Sequence, residues 1–170
     1  IEQEFSGTPI VSALGNNDSG LSDYGVKPGG EFLGKLSKTL PSIQGDAAAT
    51  ALFAKEGYYT IPHPTVANHD FIALGIYWTH SGRRNCGDTG AAADGTRQLA
   101  FLDSALKASK AAGRTATLLM HIPPGVDGYS GYAHEEYETG VSRRYAKDSP
   151  MWCTADKFET DFETTIAAYS

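Results

Sequence analysis

Apolar residues recur along this chain in short runs separated by polar stretches, and the alternation of run types points to a layered α/β domain. Pro9 to Leu14 is a strand-like apolar run that stops at Gly15-Asn16-Asn17-Asp18. A loop rich in Gly, Ser and Asp follows. Phe32, Leu33, Leu36 and Leu40 then share one face of a helix expected from Glu31 to Leu40, which Pro41 ends. Asp46 is placed to cap a second helix over the alanine-rich run to Lys55. Tyr58 to Ile61 and Asp70 to Trp78 are rich in aromatic and β-branched residues and read as neighbouring strands, joined by a loop holding Pro62 and Pro64. Thr79 to Gly95 reads as loop. Leu99, Leu102 and Leu106 then repeat at helical spacing between Thr96 and Ala112, with Gly113 where a left-handed C-cap belongs. Thr115 to Met120 is expected as a strand buried on both faces, ending at His121. A long, tyrosine-rich loop reaches about Cys153, and a last helix from Ala155 onward buries Phe158, Phe162 and Ile166. No repeat or linker interrupts the pattern, so residues 1–170 read as one domain.

Composition excludes partners more than it names them. With 170 residues, 41% hydrophobic and 20% charged, the chain is able to bury a real core. Its net charge is -6 and no basic cluster exceeds the pairs Arg83-Arg84 and Arg143-Arg144, which makes nucleic acid a poor partner. A small phosphorylated substrate stays compatible with this acidity, because a metal ion supplies local positive charge. No run approaches the roughly 20 apolar residues of a membrane span. The polar start Ile1-Glu2-Gln3-Glu4 does not resemble a signal peptide, and the expectation is that something preceded it. Cys86 and Cys153 fit either one disulfide of an exported protein or two buried thiols.

Chemistry concentrates where two apolar runs stop abruptly, one at Gly15-Asn16-Asn17-Asp18 and the other at His121. Ligands of open α/β sheets bind outside the carboxyl ends of strands, where a rigid scaffold holds the loops. An Asn carbonyl and a His nitrogen are competent ligands for Zn, Mn or Fe. The same residues also serve as a simple turn and a packed histidine, and spacing alone leaves both readings open. His63, His69 and His80 read as structural or loop residues. His134, on the long loop, is a candidate for substrate contact, whereas Tyr129, Tyr132 and Tyr137 read as packing.

Two segments carry a resemblance. Gly15-Asn16-Asn17-Asp18 is similar to the Gly-Asn-His-Asp/Glu motif of calcineurin-like metallophosphoesterases. Leu118-Leu119-Met120-His121-Ile122-Pro123-Pro124-Gly125 resembles the later histidine motif of the branch that includes acid-sphingomyelinase-like phosphodiesterases and endopolyphosphatases. Phe32-Leu33, Gly57-Tyr58-Tyr59, Leu74 to Trp78, Asn85-Cys86-Gly87 and Gln98-Leu99 resemble the connecting segments, in the same order. The resemblance implies a four-layer α/β/β/α sandwich and a site for two divalent metals of Zn, Mn or Fe type. Asn16 and His121 would ligate one of them, with Asp18 orienting its neighbour. It also implies hydrolysis of a phosphodiester or similar ester by a metal-activated water, in a periplasmic or secreted protein.

The departures are specific. Asn17 stands where most members carry a phosphate-contacting histidine, and an amide cannot supply a titratable proton near neutral pH, although it can hydrogen-bond a phosphoryl oxygen. The opening Asp-x-His and Gly-Asp motifs and the closing Gly-His-x-His are not found, and Gly87-Asp88 lies in the wrong order. Asn16 and His121 are fewer than the three or four ligands of a tight zinc site, so the chain is expected to be the central piece of a longer parent. Two alternatives compete. One is a serine hydrolase whose Gly-x-Asn-Asp block supplies an oxyanion donor, though no Gly-Asp-Ser or Gly-x-Ser-x-Gly element accompanies it. The other is a degenerate, non-catalytic phosphoesterase-like module.

Overall fold

The computed structural model describes residues 7–19, 25–78, 89–125, 151–153 and 157–170. Among them, four helices and a three-stranded sheet make a mixed α/β fold. Helix α1 covers Glu31–Leu36 and is followed by a 3₁₀ turn at Pro41–Ile43. Helix α2, Ala47–Glu56, starts where Asp46 accepts hydrogen bonds from the Ala48 and Ala49 amides at 3.0 and 2.9 Å, and ends at Gly57 in the left-handed conformation. Strand β1, Tyr59–Pro62, pairs antiparallel with β2, His69–Ala73, with Tyr59 opposite Ala73. Helix α3, Thr89–Ala111, then leads to β3, Thr115–Leu119, which lies parallel to β2 with His69 beside Thr115. The chord from β2 through α3 to a parallel β3 is the crossover that parallel pairing requires. Helix α4, Phe158–Tyr169, packs on α3.

Register sorts the sheet into two faces. Asp70, Ile72, Ala116 and Leu118 share the face toward α3, where Ser109 donates to Asp70 at 2.7 Å and Arg114 pairs with the same carboxylate at 2.6 Å. His69, Phe71, Thr115, Thr117 and Leu119 share the other. Both ring nitrogens of His69 lie against threonine hydroxyls, Thr115 at 2.6 Å and Thr117 at 2.8 Å. The core runs from Leu33, Ile43 and Phe53 through Tyr59 and Ile72 to Leu102 and Trp152, all buried. At its far end Trp78, Trp152 and Phe162 form a ring cluster with centroids 4.7 to 5.5 Å apart.

Five expectations need correction. The helix expected from Glu31 to Leu40 stops at Leu36, beyond which the Lys38 and Thr39 amides make tighter three-residue turns to the Lys35 and Leu36 carbonyls. Residues 9–14 form no strand. A strand needs a neighbour's ladder for its backbone groups, and here Ser12 finds the Tyr59 side chain instead: its amide donates to the Tyr59 hydroxyl at 3.2 Å, and that hydroxyl donates to its carbonyl at 2.6 Å. The second strand stops at Ala73 rather than Trp78, because the Gly75 amide turns aside to the Gln98 side chain, 2.6 Å away. β3 is only half-buried, since helices cover its Ala116 and Leu118 face while Thr115 and Thr117 face out. Helix α3 begins at Thr89, seven positions before the expected Thr96, because Gly90 and Gly95 read as breakers around three alanines that favour helix.

Gly95 is in the helix for a packing reason. A Cβ there would stand 2.7 Å from Phe158 Cε2, and the Gly95 carbonyl accepts from Trp78 Nε1 at 2.9 Å. Glycine-to-alanine changes inside helices ordinarily stabilise by about 1 kcal/mol. Gly95→Ala is expected to reverse that sign and to destabilise by about 1–3 kcal/mol through overpacking against α4, as read from denaturant midpoints. Residues 79–88, 126–150 and 154–156 lie outside the described residues, and with them His80, Cys86, Tyr129, Tyr132, His134 and Tyr137. Cys153 is disulfide-bonded. Among the described residues, no helix is long and apolar enough to cross a membrane.

Candidate metal centre

The two polar ends meet. His121 Nε2 lies 2.8 Å from Asn16 Oδ1, a contact between residues 105 positions apart. Because an amide oxygen only accepts, the imidazole donates, and ligation of a metal would move that hydrogen to Nδ1. Both donors sit at the protein surface, His121 exposed and Asn16 half-buried.

Each partner is held by its own anchor. His121 follows β3 by two residues, and the adjoining Ile122 is buried, its carbonyl accepting from Trp152 Nε1 at 3.2 Å. Met151 and Cys153 bind back to the Gly125 and Trp78 carbonyls, each at 2.8 Å, so residues 151–153 clamp the turn after β3. Asn16 follows buried Leu14 in the segment that Tyr59 fastens through Ser12, and the Ser42 hydroxyl lies 2.8 Å from the same phenol. Burial pushes the Tyr59 pKa upward, which keeps its proton available for that bond.

Asp18 takes a definite role in the turn. Its Oδ2 accepts the Gly15 amide at 2.7 Å, closing the loop that presents Asn16 and Asn17. A Cβ built on Gly15 would lie 3.4 Å from Asp18 Oδ2 and 3.5 Å from His121 Nε2, so the carboxylate and the imidazole flank one glycine. Asn17 is exposed beside them. The orienting hydrogen bond assigned to Asp18 therefore goes to the backbone of Gly15 next to Asn16.

Asn16 and His121 are the two residues of the described chain that could hold an ion here. The two atoms lie 2.8 Å apart as hydrogen-bond partners, and an amide oxygen with an imidazole nitrogen would be competent to ligate a Zn- or Mn-type ion. The set stops at two: among the described residues no group of three or more His, Cys, Asp or Glu is poised to hold a metal. The other described histidines, His63 and His69, are engaged elsewhere. His63 Nδ1 accepts from the Thr65 and Val66 amides at 3.1 and 3.0 Å, and its ring stacks on Phe71 with centroids 4.7 Å apart. His69 is committed to its two threonines.

Pattern reading missed Tyr59 and Trp152, the residues that position the two candidate ligands. Their signal is only that of a large aromatic with a polar tip, which when buried usually finds a partner, and nothing local says which backbone group that partner is. No family model matches the chain, and no curated protein is significantly similar to it.

Proposed function

We propose that the chain belongs to a metal-dependent hydrolase of phosphate esters of the calcineurin-like kind, in which Asn16 and His121 hold one edge of a two-metal site. The observation that carries this reading is the 2.8 Å approach of Asn16 Oδ1 to His121 Nε2, between the two segments that resemble the family's metal-binding motifs. The metals, when bound, supply a water of lowered pKa and neutralise charge on the phosphoryl oxygens. The chain's own residues do the rest. Asp18 fixes the Gly15–Asp18 turn, Asn17 offers an exposed amide to a phosphoryl oxygen, and Trp152 and Tyr59 keep the two ligands in register. Asn17 provides no titratable proton, so the leaving alcohol takes its proton from another source and turnover is slow. His134 is proposed as a substrate contact. The three-stranded sheet is the part of a four-layer sandwich that this segment supplies, and the disulfide at Cys153 agrees with an exported protein.

Titration of inorganic phosphate into the purified chain, with and without Mn²⁺ or Zn²⁺, tests the reading. The expected outcome is phosphate binding that requires the metal and is reversed by EDTA. Metal-independent ester hydrolysis with a serine labelled by a fluorophosphonate would instead establish the serine-hydrolase alternative.

A further inference from the structure

A cavity of about 290 Å³ opens beside the Gly15–Asp18 turn, between residues 12–14 and helix α1. Leu14, Leu40 and Phe53 are among its walls and are buried; Phe32 and Leu36 also line it and remain partly open. Asp18 is its polar residue on the side of the site, the same carboxylate that flanks Gly15 opposite His121. Of the larger cavities among the described residues, one lies beside Ser19, Lys27 and Lys35, and two lie elsewhere, around Asp70 and Arg114 and against Thr115. Those residues are at the starting ends of β2 and β3, whereas His121 follows the finishing end of β3. The apolar cavity shares Asp18 with the candidate site.

An apolar hollow is unfavourable to water, and a dry cavity of about 150 Å³ is already enough to bind benzene. Next to a phosphate-binding edge, such a hollow selects among esters by what they carry beyond the phosphorus. Resting on the metal reading above, we propose that the substrate is an aryl or short-alkyl phosphate ester whose apolar arm lies in this cavity, with its phosphoryl group at Asn16 and His121. Ala13, Phe32 and Leu36 then determine specificity through contact with the arm.

The test compares methylphosphonate with n-butylphosphonate, binding to the full 170-residue chain in the presence of Mn²⁺ by calorimetry. Full burial strengthens binding by about fourfold per methylene, so incomplete burial of three methylenes is expected to give the butyl compound at least about a tenfold advantage. Ala13→Leu, which fills the cavity, and Leu36→Asp, which charges its open wall, are each expected to remove that advantage. Equal affinities for the two compounds, with methylphosphonate still bound, would overturn the cavity assignment and leave the metal reading standing. An advantage that survives in both variants also overturns it, because the arm then binds elsewhere. A butyl advantage that persists without Mn²⁺ supports the cavity and removes the metal. Failure of either phosphonate to bind under any condition overturns both.

Discussion

His121→Ala is expected to abolish metal-dependent phosphate binding, and with it any EDTA-sensitive ester hydrolysis, while leaving the fold in place. Residues that merely orient a metal ligand cost about 10- to 100-fold on mutation, so removal of a ligand itself is expected to exceed about 100-fold. The stability cost is small by comparison. His121 is exposed and the hydrogen bond it would lose is the one to Asn16, a contact worth about 0.5–1.5 kcal/mol net. For a chain of this size that corresponds to a fall in Tm of roughly 1–6 °C. The pairing of a large functional loss with a small thermal shift is what separates a ligand from a packing residue. A variant that binds phosphate and metal normally would remove His121 from the site.

Tyr59→Phe is expected to do the reverse, damaging the fold first and the site through it. The phenol is fully buried and bridges Ser12 and Ser42, accepting from the Ser12 amide and donating to the Ser12 carbonyl. Removing one oxygen leaves both backbone groups of Ser12 without that partner, at about 1–3 kcal/mol for each group that stays buried. We expect a loss of about 2–3 kcal/mol, equivalent to a fall in Tm of about 5–10 °C. Freed from Tyr59, the segment carrying Asn16 holds its register less well, and metal-dependent phosphate affinity is expected to drop about tenfold. Tyr58→Phe is the control. Tyr58 packs on Phe101 and Tyr77 on the other side of β1, its pKa pushed up to about 12 by burial and by Glu56. Its replacement is expected to alter stability without touching phosphate affinity. Equal effects of the two variants on the site would mean that the 9–14 segment is not held as described.

The elements that the sequence announced well are those whose signals are local. Asp46 before an alanine run and Gly57 after it bracket α2 through cap hydrogen bonds and a left-handed φ that each depend on a few neighbouring residues. Gly113 likewise ends the turn after α3, with the Arg114 amide bonded back to the Ser109 carbonyl at 2.8 Å. Expectations failed where a distant partner decides the outcome. Whether residues 9–14 become a strand depends on which backbone lies alongside, and Tyr59, 47 positions from Ser12, takes that place. The start of α3 depends on Phe158 seating against Gly95, which turns an apparent helix breaker into a packing surface. The burial of β3 depends on what covers the His69–Thr117 face, and its apolar composition says nothing about that.

The candidate site divides in the same way. Asn16 and His121 stand out because apolar runs end on them and because their motifs resemble a known pair. Their anchors, Tyr59 and Trp152, do not, since a buried aromatic carries no label for the carbonyl it binds. Nor does the cavity beside Asp18, which joins residues from the 12–14 segment, α1 and α2 that no linear motif connects.

Convergence of Asn16 and His121 on one cation is the central claim, and Mn²⁺ titration followed by NMR tests it most directly. Paramagnetic broadening is expected to erase the Asn16 side-chain amide and the His121 ring signals first, with the His63 and His69 rings unaffected. Broadening that begins at His63 or His69, or spreads over the surface carboxylates while Asn16 and His121 stay sharp, would contradict it.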